Sequence, residues 1–144
     1  MIETQIAKFK KRSFFKYFTV FLRISLGLSF IYPSLPKILG HRFTLLGPDT
    51  QIGYFFEALY QTGLYWHFIG AAQFTAGICL LVPRLSTLGA VLFFPIITNI
   101  FVITISMPFK GTPFVTGAML FGGLYLLFWD YDRLKYIVVP PPTR

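Results

Sequence analysis

The sequence predicts an all-α, polytopic membrane protein built as a four-transmembrane-helix bundle. Three observations predict it. Apolar residues make up 55% of the 144 and charged residues only 12%, with 18 phenylalanines; a soluble domain this small has too little interior to hide so much apolar surface. The apolar residues fall in four runs, at about 17–39, 64–83, 85–107 and 114–129, each near the ~20 residues a helix needs to cross ~30 Å of hydrocarbon. The runs are continuous and not alternating, which favours helices over barrel strands. Mean hydropathy of +0.65 also excludes a disordered chain. The single cysteine, Cys79, excludes a disulfide scaffold, a paired-thiol redox centre and a thiolate metal cluster.

The first run reads as a span and not as a cleaved signal peptide: it is long and carries Arg23, Pro33, Pro36 and Lys37. Before it, residues 1–16 form a basic N-terminal segment with Lys8, Lys10, Lys11, Arg12 and Lys16. Residues 17–139 form the transmembrane domain and 140–144 a Pro-rich tail. Arg84 lies between spans 2 and 3, and Arg133, Lys135 and Arg144 follow span 4. With Arg23, ten positive residues stand on one side against Lys37, Arg42 and Lys110 on the other. That asymmetry predicts both termini in the cytoplasm and the chain in the cytoplasmic (inner) membrane. The formal net charge of +8 is thus an orientation signal beside the lipid bilayer, and no nucleic-acid partner is expected.

The loop at about 40–63 is the one long connection. After the turn Gly47-Pro48-Asp49, Ile52, Phe55, Phe56, Leu59 and Tyr60 fall at helical spacing. They predict a short amphipathic helix at about 51–61, lying in the outer interface or capping the bundle. Capping would bring Glu57 and Gln61 to face Lys37.

Spans 2 and 4 echo one another: Gly70-Ala71-x-x-Phe74 then Gly77 and Leu80-Leu81, against Gly117-Ala118-x-x-Phe121 then Gly123 and Leu126-Leu127. Spans 1 and 3 share an Arg, a Leu-Gly and a Pro in the same order: Arg23, Leu26-Gly27 and Pro33 against Arg84, Leu88-Gly89 and Pro95. Two parallel helical-hairpin repeats are expected, the first carrying the extra helix.

Polar residues inside spans are the candidate binding or structural site residues: Arg23, Lys37, Gln73 and Asn99, with Glu57 and Asp130 as partners at the span ends. An ionisable group about two turns into a span costs at least ~2.5 kcal/mol unless it pairs or snorkels. Arg23 is expected to turn inward, onto Asp130 or an anionic head group. Lys37 with Glu57 is the matching pair at the outer end. Gln73 and Asn99 sit near mid-span, as helix-to-helix hydrogen-bonding groups or as the lining of a pocket between spans. His41 and His67 are the only histidines and stand at the outer surface, which argues against haem. No triad, metal-ligand cluster or phosphate-cradling loop appears, so no catalytic residue and no metal are expected.

The stretch Leu22-Arg23-Ile24-Ser25-Leu26-Gly27-Leu28-Ser29-Phe30, then Lys37-Ile38-Leu39-Gly40, resembles the opening helix of the DoxX-like family, R-x-x-x-G-x-x-F followed by a turn, Lys and a hydrophobe. Gly70-Ala71-Ala72-Gln73 through Pro83-Arg84 and the long first loop are similar too, over about residues 20–130. This chain departs from the pattern at Pro33-Ser34 and Pro36, and has Gln73 where a Glu is common. The resemblance implies a small membrane subunit, non-catalytic or accessory, near quinone-linked redox chemistry. It implies membrane redox-enzyme subunits or further copies of the chain as partners, and quinone as the one cofactor to consider. If the chain has any activity, it would be as a quinone-linked oxidoreductase component. The alternative is a small-molecule transporter or channel-like bundle, with Arg23, Gln73 and Asn99 along the path.

Overall fold

The computed structural model describes residues 1–140 and 143. Seven α-helices follow in order: α1 Ile2–Lys11, α2 Ser13–Ile38, α3 Gln51–Gln61, α4 Leu64–Leu81, α5 Ser86–Ser106, α6 Thr112–Trp129 and α7 Tyr131–Val138, with a 3-10 turn at Pro83–Leu85. No strand occurs among the described residues. Four helices are long and apolar enough to cross a membrane: α2, α4, α5 with its preceding turn, and α6. Only 22% to 39% of their most apolar stretches is buried within the protein. The rest needs a hydrocarbon surrounding, so the chain is a small integral membrane protein.

The spans form a closed ring. α2 packs on α4, α4 on α5, α5 on α6, and α6 returns more lightly to α2. α1, α7 and the α4–α5 turn lie at one end of the bundle; α3 and the α5–α6 turn lie at the other. Glycine sets the closest approaches. A Cβ on Gly77 would stand 2.8 Å from the Gly27 carbonyl oxygen, and one on Gly70 would stand 2.7 Å from Lys37 Cβ. These two contacts draw α2 onto α4 backbone to backbone. Gly89 does the same for α5 on α4, 2.5 Å from Leu80 N. The bundle axis is filled by Leu26, Phe30, Ala76, Leu80, Ala90, Phe93, Ile97 and Leu126. The Phe30 and Phe93 rings meet across it at 4.2 Å between centroids.

Local chemistry explains the ends. Thr50 Oγ1 caps α3 by accepting from Gly53 N at 3.0 Å. Gly63 (φ +64) and Gly111 (φ +78) take the left-handed turns that open α4 and α6. α2 begins at Ser13, earlier than the expected 17, and Arg12 breaks it from α1 in an extended conformation. The basic segment is itself largely helical. Ile2, Ile6 and Phe9 give α1 an apolar stripe, but its many polar residues keep it out of the spanning set. After Trp129 the chain likewise continues in a short amphipathic helix, α7. In the Pro-rich tail Pro140 is exposed, and Pro141, Pro142 and Arg144 lie outside the described residues.

Candidate functional site

The candidate residues fall into two polar centres at opposite ends of the bundle. At the end holding α1 and α7, Arg23 Nη2 donates to both carboxylate oxygens of Asp130 at 3.2 Å. Arg23 stands ten residues, about 15 Å, along α2. Its side chain is 19% exposed and that of Asp130 6%. Asp130 occupies the junction of α6 and α7, where its carbonyl also accepts from Arg133 N and Leu134 N. One acid thus closes a helix junction and neutralises an arginine that would otherwise meet hydrocarbon. Arg23 Nε is buried and has no acceptor among the described residues.

Two further ion pairs join the chain ends: Lys10 to Asp132 and Lys135 to Glu3, at 2.9 and 2.8 Å. They tie α1 to α7. The Asp132 carboxyl is held below the usual carboxylate range, first by the hydrogen bond from Lys10. Glu3 in turn raises the Lys135 amine.

At the other end Lys37 is buried at 7% exposure. Its Nζ donates to Pro33 O at 2.9 Å and to Gln73 Oε1 at 3.0 Å. The ammonium also lies 4.6 Å from the centroid of Phe43 and 5.8 Å from that of Trp66. The expected Lys37–Glu57 pair is not formed. Glu57 accepts from Arg42 Nε and Nη2 at 2.8 and 3.1 Å and from Gln61 Nε2 at 2.8 Å. The reason is access: Lys37 faces α4 inside the bundle, where Gln73 stands, while Arg42 follows α2 into the loop beside α3. These hydrogen bonds, Arg42's first, hold the Glu57 carboxyl down from 4.5 to about 2. The loop itself is pinned to α4, with Trp66 Nε1 donating to His41 O at 3.0 Å and His67 Nδ1 lying 2.9 Å from Ile38 O.

Gln73 and Asn99 do not line a common pocket. Gln73 is buried at 4%, whereas Asn99 is exposed. The phase of α5 decides this. Phe93, Ile97 and Thr104 point into the bundle, and Asn99, two residues from Ile97, falls on the reverse face. There it continues an exposed stripe of Leu88, Val91, Pro95, Val102 and Ser106. A groove of about 410 Å³ lies beside this stripe, between Tyr54 and Phe55 of α3 and Val102 and Ile103 of α5.

Sequence reasoning missed Arg42, Phe43, Trp66 and the Lys10–Asp132 and Lys135–Glu3 pairs. Arg42 and Glu57 were the only unlike charges within the loop near α3 apart from Asp49, a signal that was there to use. The terminal pairs join residues more than a hundred positions apart, and no local pattern announces them. Among the described residues, no group of three His, Cys, Asp or Glu is placed to hold a metal ion. Cys79 is a buried free thiol.

Fold and site together define a four-span helical membrane protein with an ionic lock at each end. No family model matches the chain, and no solved structure matches it. It is 31% identical over 121 residues to the uncharacterized protein YwoB of Bacillus subtilis (strain 168), covering 80% of this chain and 77% of that one. The chain belongs to the family of YwoB.

Proposed function

We propose that this chain is a small, non-catalytic accessory subunit, of the DoxX-like kind, that docks on a membrane enzyme of quinone-linked redox chemistry. The observation that carries the docking is Asn99. An amide near the middle of the most apolar span (mean hydropathy 2.3) faces outward and has no side-chain partner among the described residues. In lipid such a group gains by bonding a neighbouring helix. The redox assignment rests on the opening-helix resemblance around Arg23, Gly27 and Phe30. The quinone belongs to the partner in this reading. Lys37 already spends two of its three N–H groups inside the α2–α4 interface, on Pro33 O and Gln73 Oε1. The filled axis at Phe30, Phe93 and Ile97 favours a docking role over a conducting path.

The same reading places both termini in the cytoplasm, by the ten-to-three asymmetry of positive charge. α3 then lies at the outer interface. The two-hairpin repeat belongs to it as well. Gly27 and Gly89 are 62 residues apart, as are Pro33 and Pro95. Gly70 packs on Lys37 and Ile38, and Gly117 on Phe101, one residue from the position 62 beyond Ile38. The test is purification from native membranes in a mild detergent. The parent chain should bring down a quinone-reactive enzyme and Asn99→Leu should lose it. A parent chain that comes down alone, or equal recovery with both chains, contradicts the proposal. A reporter after Arg144 that is active only on the outer side contradicts the orientation.

A further inference from the structure

The end of the bundle that holds α1 and α7 carries a cleft of about 350 Å³. Four cations line it, Lys10, Lys16, Arg23 and Arg133, against two carboxylates, Asp130 and Asp132. Both carboxylates are engaged within the cleft wall, Asp130 by Arg23 and Asp132 by Lys10. Three donors remain. Arg23 Nε is buried with no acceptor. Lys16 is exposed and pairs with no carboxylate among the described residues. Arg133 Nη1 reaches only the neutral Thr87 hydroxyl, at 3.2 Å.

We propose that this cleft binds a phosphate group. The surplus is two positive charges, and the donors left over come from two different elements: α2 supplies Lys16 and Arg23, and α7 supplies Arg133, held beside the start of α5. A buried guanidinium N–H without an acceptor costs free energy unless a ligand or water completes it. A tetrahedral oxyanion has several oxygens to share among such donors, and Arg and Lys are the side chains that recognise it. Ser86, at the start of the 21-residue α5, also lines the cleft, near the positive end of that helix's dipole. The volume exceeds that of phosphate alone and leaves room for what the phosphate is attached to. The cleft opens where the spans end, beside Trp129, at the depth of a phospholipid headgroup. A soluble phosphate compound would use the same donors from the aqueous side.

The full chain, purified in a neutral detergent, separates the two sources. One arm offers phosphatidylglycerol and, as a lipid without phosphate, diacylglycerol in mixed micelles and reads retained lipid by native mass spectrometry. The other offers inorganic phosphate and reads the melting temperature. Lys16→Gln and Arg133→Gln remove donors that hold no carboxylate, so both chains should fold as the parent does. Selective retention of phosphatidylglycerol, falling about tenfold or more in the double variant, establishes the lipid phosphate as the ligand. Stabilisation by inorganic phosphate that vanishes in the double variant establishes the soluble one. Equal retention of both lipids with no phosphate effect overturns the proposal. So does any binding that the double variant leaves unchanged.

Discussion

The Lys37 ammonium donates to Gln73 Oε1 at 3.0 Å inside the α2–α4 interface, with no carboxylate paired to it among the described residues. A backbone carbonyl, one amide and two aromatic faces hold the charge instead. Gln73→Leu should therefore lower stability by about 1–3 kcal/mol, since the ammonium loses its side-chain acceptor. Lys37→Met combined with Gln73→Leu should recover most of that loss, because both polar groups leave together. Thermal melts of the purified proteins in detergent check both outcomes.

Asp130→Asn should cost about 3 kcal/mol, because it leaves Arg23 charged and unmatched in a buried site. Arg23→Leu should be less harmful when combined with Asp130→Asn than in the parent chain. The double-mutant cycle should show about 1–3 kcal/mol of coupling. Denaturation in mixed micelles measures it.

Gly77→Ala should destabilise by about 1–3 kcal/mol, since its Cβ would meet the Gly27 carbonyl oxygen at 2.8 Å and backbone cannot give way as a side chain can. Gly117→Ala should stay within about 0.5 kcal/mol, because its Cβ meets the movable Phe101 ring at 3.3 Å. Parallel melts of the two variants compare backbone contact with side-chain contact directly.

The spans were legible because hydrocarbon imposes a length and a composition that short windows record: α4 begins at Leu64 and α6 ends at Trp129, at the edges the apolar runs marked. Arg23 and Asp130 were legible for the same reason, as charges at depth on two helices whose directions fix a shared end. Asn99 was not. Composition says that an amide lies at mid-span, but the face it takes depends on the phase of α5 against Phe93 and Ile97, and that phase is set by packing. Lys37 and Glu57 failed as a pair because charge complementarity ignores the side on which each residue lies. Arg42, nearer to α3 along the chain, reached Glu57 first.

Glu57 gives a pH dependence with a defined sign. Its carboxyl titrates at about 2 when α3 is docked, against 4.5 when free. The stability it contributes is fully present above about 4.5 and is lost as pH falls through about 2. Opening of α3, read from hydrogen exchange corrected for the intrinsic pH dependence of amide exchange, should rise as pH falls across that window in the parent chain. In Glu57→Gln the rise should be smaller, because no carboxylate is left to protonate.

Photo-crosslinking in living cells tests the docking role most directly. A photoreactive residue at position 99 on α5 should yield an adduct with a subunit of a quinone-linked membrane enzyme. The same residue at position 121, where Phe121 on α6 is 72% exposed, should yield lipid adducts alone. Lipid adducts alone from both positions would contradict the account.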